Sequence, residues 1–311
     1  MIILLNTYAN GKTGLRKWGE LKAGLENEYL GRDYSLIDCF DEFHHVFQRE
    51  IDRGERFFIA AGGDGTVNFL LNQMMAFRES RSGREEMILG AIGLGSSNDF
   101  HKSFAESSHT HGKPPVRLNS RKAAPHNVGL IEYQDRDCVW KRKYFIVNCS
   151  VGLVAQANLF FNSSDKIVNR LKSRWVDGAI WYAALQTLFK AKNVPAQIVV
   201  NGESMETQIT SLSAFINPNV SGNFCYDMKI TPQSNFMGVA LCEAMGIPRR
   251  VKTLLSLAKG KFVGLPQTRI WRAHEVELFP ASPLALEMDG EVTLAGRIRI
   301  KLLRNELRVC A

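Results

Sequence analysis

Residues Phe57-Phe58-Ile59-Ala60-Ala61 run straight into Gly62-Gly63-Asp64-Gly65-Thr66-Val67-Asn68, after which Val67, Leu70, Leu71 and Met74 recur at helical spacing. That order predicts a buried strand, a glycine turn and the start of a helix. Three glycines around one aspartate let the backbone turn tightly, aim N–H groups at an anion and keep Cβ atoms away from a polyphosphate. An isolated Gly-Asp-Gly serves equally well in an ordinary turn, so the weight rests on the strand, turn and helix around it.

The preceding residues repeat the unit. Ile2 to Leu5 form a first strand, the loop from Asn6 to Gly14 follows, and Leu15, Trp18, Leu21 and Leu25 mark a helix. A second strand near Tyr34 to Cys39 leads to Asp41 as N-cap and a helix through Phe43, Val46, Phe47 and Ile51. A strand over Ile88 to Ile92 ends in a second loop of small residues, Gly93-Leu94-Gly95-Ser96-Ser97-Asn98-Asp99-Phe100. Alternating strands and helices predict a mainly parallel sheet, and in open sheets of that kind ligands collect outside the carboxyl ends of the strands.

Beyond about residue 125 the pattern becomes period-two: Tyr144–Asn148, Gln197–Val200, Ser211–Asn217, Val239–Ala244, Glu275–Phe279, Leu284–Met288 and Arg297–Leu302. Such runs predict an antiparallel second domain, interrupted by one helix within Asp165–Ala191 and another over Pro248–Ala258. A chain of 311 residues outgrows one core. The expected division is an α/β nucleotide-binding domain over 1–125 and a β domain over 126–311, with the last strand, through Ile298, Ile300 and Leu302, free to serve either.

The net charge of +8 favours an acidic partner. Neither a basic run interleaved with aromatics nor a zinc-finger spacing is present, which argues for no nucleic acid. Six cysteines, Cys39, Cys138, Cys149, Cys225, Cys242 and Cys310, form no Cys-x-x-Cys pair and are read as buried thiols of a reducing compartment. The opening Met1-Ile2-Ile3-Leu4-Leu5 is too short for a signal-peptide core, and the longest apolar stretch, Ala179–Leu185, falls far short of the roughly 20 residues of a membrane span. The expectation is a cytoplasmic chain, peripheral to a membrane at most. His109 and His111 sit in a polar stretch, Ser107–Pro115, read as a solvated surface loop.

Taken together, Gly62-Gly63-Asp64-Gly65-Thr66 with Asn68, Gly95-Ser96-Ser97-Asn98-Asp99-Phe100 and Asp289-Gly290-Glu291 resemble, in that order, the motifs of the diacylglycerol kinase catalytic-domain family of bacterial lipid kinases, itself similar to sphingosine kinases and more remotely to NAD kinases. The resemblance implies a Rossmann-like N-terminal domain bearing the GGDGT loop, a C-terminal antiparallel β-sandwich, and an ATP site in the cleft between them. It implies that ATP is held by the first-strand loop, here Asn6, Asn10, Gly11 and Lys12, by Gly62, Gly63, Asp64, Gly65, Thr66 and Asn68, and by Ser96. Asp64 would sit by the phosphates, where a carboxylate helps only by engaging Mg²⁺ or a donor; it is assigned to the metal. Asn98 and Asp99 either contact nucleotide or cap the following helix. Asp289 and Glu291, two residues apart and on one side of an extended strand, are the catalytic candidates for steering or deprotonating the acceptor hydroxyl; the alternative is an Asp-Gly hairpin turn.

Departures from the family pattern are explicit. Thr7 replaces a proline, Phe69 replaces a glutamate, and acids that hold a structural Mg²⁺ in the family are missing from His126-Asn127-Val128-Gly129 and from Pro232–Gly238. Mg²⁺ is therefore expected to enter with ATP alone. Leu159-Phe160-Phe161, Trp175, Trp181, Tyr182, Leu185 and Leu188 offer apolar bulk beside Lys166, Arg170, Lys172 and Arg174, with Arg249, Arg250 and Lys252 as a second basic patch. These read either as docking to an anionic membrane surface or as ordinary amphipathic helices. The expected activity is an ATP-dependent lipid kinase acting on diacylglycerol, a sphingoid base or a related lipid. A kinase of a soluble alcohol or nucleotide, and a non-catalytic nucleotide-binding regulator, are the alternatives. A homodimer is left open.

Overall fold

The computed structural model describes residues 1–31, 33–38, 40–80, 86–102, 114–163, 165–220 and 224–311, without the side chains of residues 172, 173, 176 and 177. Cys39, His109 and His111 lie outside the described residues. The first elements are β1 (Ile2–Leu5), α1 (Ala9–Lys12), α2 (Gly14–Leu25), β2 (Ser35–Ile37), α3 (Phe40–Asp52), β3 (Phe57–Gly62), α4 (Asp64–Ser80), β4 (Ile88–Gly93), α5 (Asp99–Lys102) and β5 (Val116–Arg117). There follow β6 (Ala124–Gln134), β7 (Trp140–Phe145), β8 (Asn148–Gly152), α6 (Leu153–Phe161), α7 (Lys166–Arg174), α8 (Val176–Lys190), β9 (Val194–Val200) and β10 (Glu203–Phe215). The chain ends with β11 (Asn219–Val220), β12 (Phe224–Cys225), β13 (Met237–Glu243), α9 (Ile247–Leu257), β14 (Thr268–Ala273), β15 (Glu275–Pro280), β16 (Leu284–Met288), β17 (Glu291–Ala295) and β18 (Ile298–Val309). Two compact units emerge: Met1–Asn127 with Asn305–Ala311, and Val128–Arg304.

In the first unit the strands run β2-β1-β3-β4-β18, all parallel, with Ile3 beside Ile59, Ala60 beside Ala91 and Val309 beside Leu89. β1 reads Ile-Ile-Leu-Leu with every side chain buried, because a parallel strand is covered on both faces and needs apolar residues at consecutive positions. Asp41 does not cap α3; the helix already includes Phe40, and Asp41 stands in its first turn. Phe69 lies 4.8 Å from Phe40 and 5.9 Å from Phe43, ring centroid to centroid, so it belongs to an aromatic cluster where the resemblance implies an acid.

The second unit is antiparallel. β10 pairs with β9 over Glu203–Ile209, then shifts register and runs between β8 and β13 over Ser211–Phe215. Such a bulge re-aims a strand, so one strand serves two layers around a core that includes Phe145, Val151, Ile198, Leu212, Val239, Val276, Leu286 and Ile298. Two expected elements divide further. The run Tyr144–Asn148 breaks between β7 and β8 at Ile146-Val147. The helix expected within Asp165–Ala191 starts with α7, which Asp165 caps by accepting the Ile167 and Val168 N–H groups, and breaks at the extended residue Trp175 (φ −153°) before α8.

The thiols divide as well. Cys149, Cys242 and Cys310 are buried, but Cys138 is exposed and Cys225 half-buried, against the expectation of uniformly buried cysteines. Burial pushes Cys242 and Cys310 up to about 12, which leaves both as inert thiols. Arg250 departs from the expected surface patch: its buried guanidinium donates to the carbonyls of Leu188, Ala191 and Met245 and to Asn193 Oδ1. It satisfies the carbonyls that the end of α8 leaves over.

Candidate functional site

Three loops of the first unit converge. The Asn6 amide donates to Thr66 Oγ1 at 3.1 Å, tying the loop after β1 to the glycine turn. The N–H groups of Leu94 and Gly95 both donate to the Gly62 carbonyl, at 2.8 and 3.2 Å, tying the loop after β4 to the same turn. Glycine is required where the two loops touch, since a Cβ on Gly95 would stand 2.5 Å from the Gly63 Cα, and within the glycine turn itself, where one on Gly62 would stand 2.1 Å from Thr66 Oγ1. Gly65 is exposed at the first turn of α4 while Gly63 and Asp64 are half-buried. Beside them the helix start presents backbone N–H groups and its positive dipole end, the arrangement that accepts a phosphate.

The other residues of the set take distinct places. Asp64 Oδ2 and Oδ1 accept the N–H groups of Asp99 and Phe100 at 3.1 and 2.9 Å, so this carboxylate finds its donors at the start of α5. Asn98, at φ +49°, accepts the Gly95 N–H at 3.0 Å and donates to the carbonyls of Gly93 and Gly95; it shapes the loop. Asp99 accepts from Ser97 Oγ at 2.7 Å and from Lys102 Nζ at 2.6 Å. Asn68 is buried in α4 and accepts from Asn72 at 3.0 Å. Ser96 is exposed. Asn10, Gly11 and Lys12 are consecutive left-handed residues (φ +49°, +67° and +72°), and the Lys12 ammonium sits 5.8 Å from the ring of the exposed Tyr8.

Lys17 was not legible as a site residue. From α2 its ammonium donates to the Leu94 carbonyl at 3.3 Å, 77 residues away in sequence, and burial, with Arg16 adding, lowers its pKa. A cation held at the base of the second loop complements an anion at its rim. Behind the loops, burial drives His126 down to about 4, with Arg117 adding to that, although Nδ1 lies 2.6 Å from the Asn127 carbonyl. Arg117 itself is lowered to about 10 by burial and donates to the His101 carbonyl. His126 is thus a neutral, buried histidine.

In the second unit, Asp289 and Gly290 (φ +45° and +96°) form a two-residue turn closing Met288 onto Glu291, the conformation that favours Asp-Gly. Asp289 and Glu291 therefore do not share a strand face, contrary to the expectation of two carboxylates side by side. Asp289, 3 % exposed, accepts three backbone N–H groups: Ile146 at 2.7 Å, Val147 at 3.0 Å and Asn148 at 2.9 Å. This is why the chain breaks between β7 and β8: the turn there points its amides at the carboxylate. Glu291 is half-buried, 3.6 Å from Lys143 Nζ. Glu287, which sequence reading missed because it sits in an otherwise apolar strand, is buried and accepts the Gly290 N–H at 2.6 Å. Two acids thus pin the turn and a third stands at its exit.

The same unit contains an apolar pocket walled by α6, α8 and α9, with Val154, Phe161, Ile180, Phe224, Tyr226 and Leu254 among its lining residues. The Tyr226 hydroxyl donates to Ser213 Oγ at 3.0 Å, so it is already satisfied within the protein. The wall chemistry suits a hydrocarbon.

The sequence profile of the diacylglycerol kinase catalytic domain matches residues 1–130, and that of the YegS C-terminal NAD kinase β-sandwich-like domain matches residues 155–311. Among curated proteins none matches the chain. Among solved structures, a diacylglycerol kinase from Bacillus anthracis is similar at 14 % identity with a TM-score of 0.64, over 99 % of this chain and 95 % of that one. A candidate diacylglycerol kinase from the same organism is similar at 17 % identity with a TM-score of 0.71, over 99 % and 96 %. At these identities the likeness is one of fold: a Rossmann-like α/β unit followed by an antiparallel sandwich.

Proposed function

The chain belongs to the diacylglycerol kinase catalytic-domain family, with a YegS-type β-sandwich-like C-terminal domain, and from that premise we propose that this kinase transfers the γ-phosphate of ATP to a hydroxyl of an acylated membrane lipid. The observation that carries the lipid reading is the apolar pocket between α6, α8 and α9, whose walls suit a hydrocarbon chain and offer a soluble sugar or nucleotide almost no hydrogen-bonding partners.

The nucleotide's phosphates would lie against the start of α4 and the glycine loops, with Gly65 leaving room, Lys12 and Lys17 supplying positive charge, and Ser96 at the rim. Asn6, Asn98 and Asp64 hold those loops in register through their own hydrogen bonds. Mg²⁺ carried by the nucleotide would neutralise phosphate charge.

Glu291 is the proposed acceptor-side carboxylate, the group that orients the lipid hydroxyl and takes its proton. Asp289 is a positioning residue: with both oxygens engaged by backbone N–H groups, it fixes the turn from which Glu291 projects. The test is transfer of labelled γ-phosphate from Mg-ATP to a panel of lipids in mixed micelles. A labelled lipid that disappears with Glu291→Gln supports the reading. No labelled lipid despite measurable ATP binding overturns it in favour of a soluble acceptor or a regulator.

A further inference from the structure

Fourteen large apolar side chains are strongly exposed among the described residues, and eight of them fall on α6 to α9 or their connections: Leu159, Ile167, Trp175, Leu185, Phe189, Ile247, Leu255 and Val263. Single exposed apolar residues are ordinary, whereas their concentration on one helical layer marks an interaction surface. The most exposed of the eight are Phe189 at 63 % and Trp175 at 62 %, among the costliest side chains to leave in water.

The helices bearing them show the same bias. α8 is apolar toward the protein through Ala179, Ala183, Ala184 and Leu188, yet it also turns Leu185 and Phe189 outward. A helix apolar on both sides has apolar surroundings on both sides, and among the described residues nothing covers Leu185 and Phe189 on the outer side. At 15 residues it spans about 22 Å, too short to cross a bilayer; no helix among the described residues is long and apolar enough to do so. α7 is amphipathic in the complementary sense, with Val168 buried and Lys166, Ile167, Arg170 and Arg174 exposed.

Charge identifies the partner. Residues 159–192 carry six Lys or Arg against two acids, and residues 247–263 carry five against none. One of the acids, Asp165, is engaged in capping α7, and one of the eleven cations, Arg250, is buried. Bulky apolar residues interspersed with an excess of cations over acids match an anionic bilayer, in which rings and branched chains enter the acyl boundary while Lys and Arg remain at the headgroups. A second copy of this +8 chain would bring like charges together.

We propose that α6, α7, α8 and α9 form a docking surface that seats the second unit on anionic membranes, with Trp175 and Phe189 as the inserted anchors. α6, α8 and α9 also wall the apolar cavity; the docking surface therefore rests on the lipid-kinase reading for its role, the bilayer being the phase that supplies the acyl chains. Its own test needs neither ATP nor turnover.

The experiment is co-sedimentation of the full chain with vesicles of phosphatidylcholine alone and with phosphatidylglycerol added. Partitioning onto the anionic vesicles is expected, falling roughly fivefold for each of Lys166→Glu and Arg174→Glu and further in high salt. Trp175→Ala with Phe189→Ala is expected to lower it at least tenfold, while circular dichroism and ATP binding stay unchanged. Failure of the folded protein to bind anionic vesicles, or equal binding by the double variant, overturns the proposal. So does a dimer in light scattering that the double variant converts to a monomer, because the face would then belong to a second copy. Phosphorylation of a short-chain lipid below its micellar concentration is assayed separately. Vesicle binding without such turnover leaves the docking surface standing and sinks the lipid-kinase reading; turnover without vesicle binding does the reverse.

Discussion

Asp289 and Glu291 sit two residues apart, but substitution should separate their roles. Asp289→Asn turns one acceptor oxygen into a donor facing backbone N–H groups, so a loss of about 2–3 kcal/mol of stability is expected, visible as a lower urea midpoint. Glu291→Gln should leave that midpoint within about 0.5 kcal/mol and lower kcat by about two orders of magnitude. The reverse pattern would exchange the two assignments. His126 supplies a pH signature. Its folded pKa of about 4 lies below the ordinary histidine value, so the unfolded chain binds the extra proton between the two. Stability is therefore fully present above about pH 6.5 and drains away as the pH falls toward 4, by about 2 kcal/mol between pH 7 and pH 5. Denaturant curves at those two pH values should differ by that amount in the native protein and by much less in His126→Gln. The motif residues themselves were legible, since Gly62 to Thr66 and Asp289 to Glu291 stand as short runs. What each carboxylate engages was not, because the partners of Asp64 and Asp289 lie at sequence separations of 35 and more.

At the level of elements, the loops after β1, β3 and β4 depend on close backbone approach. Gly95→Ala places a methyl group 2.5 Å from the Gly63 Cα, and backbone cannot yield as a side chain can. The expected outcome is at least a tenfold loss of ATP affinity by calorimetry with helix content retained; unchanged affinity would detach this contact from the nucleotide site. The cavity makes a separate claim. Ala184→Trp on α8 fills part of it and should raise KM for long-chain lipids while KM for ATP stays constant, and equal effects on both would show a general disturbance. Alternation of strand and helix announced the first unit, and period-two runs announced the second. The break at Trp175 and the division of β10 between two layers were hidden, because neither is marked by a Gly or Pro at the point of change; the division of β10 arises from strand pairing. Asp165 was a readable cap, overlooked because the apolar periodicity continues on either side of it.

For the whole molecule, the informative strand is β18, which pairs with β15 through Ile298–Lys301 and with β4 through Arg308 and Val309. The first unit thus draws residues 305–311 from the far end of the sequence, where Leu307, Val309 and Cys310 are buried and Arg78 pairs with Glu306. Removing 305–311 should expose β4 and loosen the first unit, seen as rapid hydrogen exchange over residues 88–93 with protection in the sandwich retained; unchanged protection at β4 would contradict this account. Alternating Ile298, Ile300 and Leu302 made the strand readable, while its return to the first unit depended on pairing that periodicity does not encode. Seven residues at the end of the sequence also set an order of events during translation. Although domains generally fold from the N-terminus as they emerge, the first unit must wait with part of its β4 edge unpaired until residues 305–311 have left the ribosome, so the later-made sandwich can close before its predecessor does.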